Sequence, residues 1–219
     1  DLAFLAENDS PVGPTANPAA HAAILLSSLY VGPGYTKTIG GSGAHFQISS
    51  EIVHYQGRTG KLWLKEGSAA GGTQHVICDS SDPTPFTHDC LQLADTLFDS
   101  LQVARGICTL ESGCAVTDIR LGTRNPNTTE AKLIVNTGAT APTTVTVGSG
   151  YGSCYVNPTT LRVYGGTWVQ EAGGAVITTL EIWGGTVILK TGGTFTTVRH
   201  YGGQIDCSQG GGLHTFTNY

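Results

Sequence analysis

The chain holds 219 residues, enough for one large domain or two small ones with a sizeable core. Only 12% of residues are charged, 31 are glycine and none is methionine, a profile of β structure with many tight turns that argues against a helical bundle. The net charge of −5, with eleven scattered basic residues, argues against a nucleic-acid partner, and no apolar run approaches the roughly 20 residues of a membrane-spanning helix.

The chain begins at Asp1 rather than methionine, as expected of a processed product or a segment of a longer protein. Residues 1–20 carry three prolines and no sustained periodicity, and predict an extended N-terminal arm. "AAHAAILLSSL" (19–29) admits one short helix, in competition with a strand through "SSLYVG". "HFQISSEIVHY", "KLWLKEG" and "QHVICD" predict further strands, so residues 21–98 read as an irregular β-rich segment. "IGGSGAH" (39–45) lacks the Lys-Ser/Thr ending and following helix of a phosphate loop and reads as a turn.

From residue 99 to 219 the pattern becomes regular. Thr159-Thr160, Thr178-Thr179 and Thr196-Thr197 recur at a nearly constant step. Gly165-Gly166, Gly184-Gly185 and Gly202-Gly203 keep the same step, and so do Gly173, Gly192 and Gly210. Three markers drifting together identify a repeating structural unit. Within it the alternation has period two: Leu161 and Val163 face one way, Arg162 and Tyr164 the other. Leu180 and Ile182 oppose Glu181 and Trp183, and Val198 and His200 oppose Arg199 and Tyr201. One such turn cannot bury its own apolar edge, whereas a column of turns can.

The pattern therefore predicts an all-β fold, a parallel β-solenoid (β-helix) with about 18–19 residues per turn, right-handed by the general preference of parallel crossovers. Stacking at about 4.8 Å would align Arg162, Glu181 and Arg199 in alternating sign, Glu171 with Lys190, and Tyr164, Trp183 and Tyr201 in an aromatic file. "SLQVARGICTLESGCAV" (100–116) matches one unit, "DIRLG", "KLIVNTG" and "TVTVGSG" supply looser ones, and "RNPNTTEA" (124–131) reads as an inserted loop. The closing "HTFTNY" reads as the start of a further turn.

The six cysteines fit this register better as core thiols than as a disulfide framework. Cys154 and Cys207 fall in one inward column about three rungs apart, roughly 14 Å, too far to bond. Cys108 maps onto the Trp168 column and Cys114 onto a corner, while Cys78 and Cys90, bracketing "DSSDPTPFTHD", are the pair that could bridge. Free thiols fit a protein that completes folding in a reducing cytoplasm.

No catalytic, cofactor or metal set emerges. Asp79, Asp82, His88 and Asp89 gather on the 78–90 loop and could hold Ca²⁺ or act as an acid/base pair, but their spacing matches no motif and a polar turn is the better account. Asp99, Glu111 and Asp118 can be placed on neighbouring turns, as the carboxylates of a glycosidase would be, without the surrounding aromatic and basic groups of a sugar site. His200 reads as a neutral core histidine, and Asn127 heads a glycosylation sequon by pattern alone. The outward Tyr164, Trp183 and Tyr201 form the candidate interaction surface, for a neighbouring subunit or for sugar.

The units "TTLRVYGGTW", "TTLEIWGGTV" and "TTVRHYGGQI" resemble those of β-solenoid accessory proteins of tailed-bacteriophage virions, namely head-decorating and tail-spike proteins. The resemblance covers about residues 99–219. It implies a non-enzymatic capsid decoration or cement protein on the virion surface, assembled in the host cytoplasm. The implied partners are the major capsid protein and further copies of the chain, a homotrimer above all. The alternative it implies is a tail spike or adhesin that binds or cleaves surface polysaccharide.

Overall fold

Alternating apolar and polar residues, rich in Val, Ile and Thr, favour extended chain with one face buried. The computed structural model describes residues 2–5, 25–42, 45–66, 74–84, 89–94, 97–122, 130–171, 176–190, 194–209 and 216–218, and among them there is no helix. The first strands are β1 (Leu2–Leu5), β2 (Leu25–Val31), β3 (Phe46–Tyr55), β4 (Leu62–Glu66), β5 (His75–Asp79) and β6 (Asp89–Ala94). There follow β7 (Leu97–Leu110), β8 (Ala115–Leu121), β9 (Ala131–Val135), β10 (Thr144–Val147), β11 (Tyr151–Cys154) and β12 (Thr160–Val163). The last are β13 (Thr167–Gln170), β14 (Val176–Ile182), β15 (Thr186–Leu189), β16 (Thr194–His200), β17 (Gln204–Asp206) and β18 (Phe216–Asn218).

Every pairing between these strands is parallel. They form two ladders. One runs β8, β10, β12, β14, β16, β18, and the other β9, β11, β13, β15, β17. The long strands β3 and β7 belong to both ladders, each turning from one to the other along its length.

The register matches the repeat: Leu161 pairs with Leu180 and Leu180 with Val198, the same steps that separate the Thr-Thr and Gly-Gly markers. Elsewhere the step varies. Val145 pairs with Leu161 across a shorter step, whereas Ile119 pairs with Val145 and Val76 with Leu101 across much longer ones. The ladder tolerates this because only the strands must align, and the length of chain between them is comparatively free. Residues 21–98 thus contribute strands to the same ladders as the regular part.

Two expectations are revised. The helix weighed for 19–29 gives way, from Leu25 on, to β2, which pairs with β3 from Leu25↔Ser49 to Val31↔Tyr55. The front of the expected arm, Leu2–Leu5, is a strand in register with Ser28–Val31. Residues 6–24, the 124–129 part of the inserted loop with Asn127, the glycines Gly173, Gly192 and Gly210, and His88 lie outside the described residues.

The core lies between the ladders, in inward files such as Val147, Val163 and Ile182, each fully buried. Trp168 is also fully buried in the file of Gly152 and Val187. A Cβ at Gly152 would come within 2.4 Å of the indole, so glycine on one rung makes room for tryptophan on the next. Gln170, buried beside it, donates from Nε2 to the Val156 carbonyl (2.7 Å) and accepts from Trp168 Nε1 (3.3 Å). His200 continues the Val163 and Ile182 file, as expected, but is only half-buried, with Nε2 3.3 Å from the Gly203 carbonyl.

At the corner, Gly166, Gly185 and Gly203 have φ of 72°, 77° and 83°, and a Cβ on Gly185 would sit 2.5 Å from the Gly166 carbonyl oxygen. Left-handed backbone and rung-to-rung contact exclude a side chain together. Gly185→Ala is expected to destabilise the fold by about 2 kcal/mol or more, as strain adds to the clash. Urea unfolding at constant m-value is the measurement.

Candidate interaction surface

On the outer side of the first ladder, Glu181 lies between two arginines one rung away in either direction. Arg162 Nε donates to Glu181 Oε2 at 3.0 Å and Arg199 Nη1 to Oε1 at 2.5 Å. Burial alone would raise the Glu181 carboxyl, but the hydrogen bonds and charges of both guanidinium groups outweigh it and hold the group below its usual value. On the second ladder Lys190 Nζ lies 3.0 Å from Glu171 Oε2, and Ser153 donates to the same carboxylate at 3.1 Å. Both files expected to alternate in charge do so.

Two residues along each strand lies the aromatic file. Tyr164 and Trp183 stack with centroids 4.5 Å apart and planes within 6°, and Trp183 and Tyr201 at 5.0 Å and 7°. Their backbone N–H groups bond the preceding rung in the same way: Tyr164 to Val147 O, Trp183 to Val163 O and Tyr201 to Ile182 O. The rings remain 42%, 38% and 43% exposed, a continuous aromatic strip facing solvent.

The strip ends at Tyr164. In the equivalent position the next rung back has Gly148, whose N–H bonds Leu121 O, and the one before has Gly122, whose N–H bonds Val103 O. The missing side chains leave an open groove of about 480 Å³ bordered by Arg120, Gly122, Thr146, Gly148, Arg162 and Tyr164. A second depression of about 410 Å³ adjoins it, with His75, Ser100, Asp118 and Arg120 on its walls. Composition and motif spacing gave no sign of this groove. The one signal was the glycine ending "DIRLG" and "TVTVG" where the later repeats have Tyr, Trp and Tyr.

The polar loop does not form one centre among its described residues. Asp79 accepts from Gln56 Nε2 at 3.1 Å. Asp82 is buried and caps its own turn, accepting from the Thr84 N–H at 2.8 Å and hydroxyl at 2.9 Å. Asp89 pairs with Lys61 at 3.2 Å and accepts from Thr109 at 3.2 Å. Each carboxylate thus has separate local partners, and no group of three or more metal-ligating side chains occurs among the described residues.

Of the three carboxylates compared with glycosidases, Glu111 follows the second-ladder end of β7, whereas Asp99 and Asp118 lie on the first ladder. Glu111 accepts from Gln92 and lies 3.1 Å from His45 Nε2. His45 packs edge-on to Trp63, and Lys61 sits 4.0 Å above that indole. This network around Trp63 joins residues from four segments, which is why sequence spacing did not reveal it.

All six cysteines carry free thiols, Cys78 and Cys90 included, and five are buried. Burial pushes the Cys78 and Cys108 thiols far up and Cys154 up to about 12. Such thiols are poor nucleophiles. No helix among the described residues is long and apolar enough to cross a membrane. Comparison with protein-family models, with curated proteins and with solved structures finds no match.

Two outcomes are expected. Glu181 has a depressed folded pKa, so its contribution to stability is complete above the ordinary glutamate value of about 4.3 and is lost as pH falls through the depressed one. Unfolding free energy measured from pH 6 to 3 should fall less steeply for Glu181→Gln than for the native chain. Iodoacetamide at neutral pH should label Cys207, the one half-buried cysteine, well before the five buried ones, and all six only after unfolding, as read by mass spectrometry.

Proposed function

We propose that the two ladders are the walls of a right-handed β-solenoid, and that the chain is a non-enzymatic structural protein of a virus particle. In this reading it decorates or cements the capsid of a tailed bacteriophage, binds the major capsid lattice and acts as a homotrimer. The carrying observation is the exposed file of Tyr164, Trp183 and Tyr201 on a framework whose flanking charges are already paired. A flat aromatic strip set in a regular backbone ladder loses little conformational freedom when another surface covers it. Free buried thiols fit assembly in a host cytoplasm. Symmetric self-association would raise avidity for a lattice of equivalent sites.

The second reading is a tail spike or adhesin binding or cleaving surface polysaccharide, and the open groove beside Tyr164 favours it. Electron microscopy of particles bearing the gold-labelled chain separates the two. The first reading expects label over the head surface and a trimer by sedimentation. Label at the tail tip, with depolymerisation of capsular polysaccharide, would replace it with the second.

A further inference from the structure

Rung β10 is incomplete on its outer face in two places at once. Along the charged file the order is Arg120, Thr146, Arg162, Glu181, Arg199. Glu181 receives one guanidinium from each side, while Thr146 stands between two arginines with no carboxylate to offer. Arg120 makes no hydrogen bond or ion pair among the described residues, and Arg162 is engaged there through Nε alone of its five N–H donors. Along the aromatic file the same rung has Gly148, so the outer face of the Tyr164 ring is uncovered. The rung thus lacks both an acid and a ring, and the groove occupies their place.

We infer that this groove docks an extended segment of a partner protein carrying an acidic residue two positions before an aromatic one, whose side chains complete the two interrupted files at β10. Rung β14 shows the finished arrangement in the chain itself: Glu181 between Arg162 and Arg199, and Trp183 between Tyr164 and Tyr201. The partner's carboxylate takes the place between Arg120 and Arg162, and its ring stacks on Tyr164 over Gly148.

Spacing selects the occupant. The two empty places are two positions apart along the strand, about 6.6 Å, the distance between same-face side chains of an extended peptide. Within a single acidic sugar unit the carboxylate is attached directly to the ring and falls short of that span, so an acidic glycan would have to use two units to fill both places. Charge selects the sign, because Arg120 and Arg162 both line the groove and the residue between them in the file, Thr146, carries no charge. The inference stands apart from the capsid reading: it concerns what the face recognises, whichever assembly supplies the partner.

The test uses the full chain on a biosensor surface and the acetylated hexapeptide Thr-Leu-Glu-Ile-Trp-Gly, a copy of residues 179–184. Saturable binding is expected, weakened about tenfold or more when Gln replaces Glu or Ala replaces Trp in the peptide. Arg120→Ala should weaken it comparably, and Gly148→Tyr, which fills the ring position from within, should abolish it. The near-ultraviolet circular dichroism of the Tyr164–Trp183–Tyr201 stack checks that each variant is folded, and Arg120→Ala, on the exposed face, keeps the test decisive if Gly148→Tyr is not. Absent binding, equal binding of the Gln and Ala peptides, or tighter Arg120-dependent binding of tetragalacturonate would overturn the inference, the last in favour of an acidic glycan.

Discussion

Parallel backbone hydrogen bonding, rung to rung at equivalent positions, is the constraint from which the rest follows. Tyr164 bonds Val147 O, Trp183 bonds Val163 O and Tyr201 bonds Ile182 O, so each residue lies directly over its counterpart in the neighbouring turn. A side chain's nearest neighbour is then the residue at the same place one repeat away. Like charges would repel at such a separation, and flat rings attract. The outer face accordingly alternates Arg, Glu, Arg and stacks Tyr, Trp, Tyr. The same logic compels glycine over glycine at the corner, where a methyl group would meet the carbonyl of the turn before.

Inside, the constraint acts through volume. An inward file has a fixed width, so a large side chain needs a small neighbour, as Trp168 needs Gly152. Cysteine serves here as a small apolar filler, and burial keeps its thiol protonated. Gln170 enters the core with a partner in reach, the loop carbonyl of Val156. Chain length between rungs is comparatively free, which lets one ladder accept steps as unequal as Val145 to Leu161 and Ile119 to Val145.

The outer face connects this architecture to recognition. Where charges alternate in sign and each turn carries a ring, as from Arg162 and Tyr164 to Arg199 and Tyr201, the surface satisfies itself. At β10 it does not, and the interruption coincides with the open groove beside Tyr164. Recognition by such a face rests on a rigid backbone that presents positions at strand spacing, so a partner is selected by the separation of its groups as much as by their chemistry. The carboxylates of the 79–89 loop and the network around Trp63 are, by contrast, occupied with their own neighbours.

The sequence by itself determined the regular part of this fold. Three sets of markers recurring at one nearly constant step, with period-two alternation between them, dictated the parallel register of Leu161, Leu180 and Val198 and the order of both outer files. Those features are local to one repeat, and the repetition itself declares which residues meet. The tertiary structure alone decided what depends on pairing across unequal steps. That Ile119 lies under Val145, across a step much longer than the repeat, is invisible without the ladder, and so therefore was the gap that Gly122 and Gly148 leave beside Tyr164. Whether Leu2–Leu5 hangs free or joins a rung, and whether Cys78 and Cys90 bond, likewise depends on where distant segments come to lie, which no spacing along one chain records.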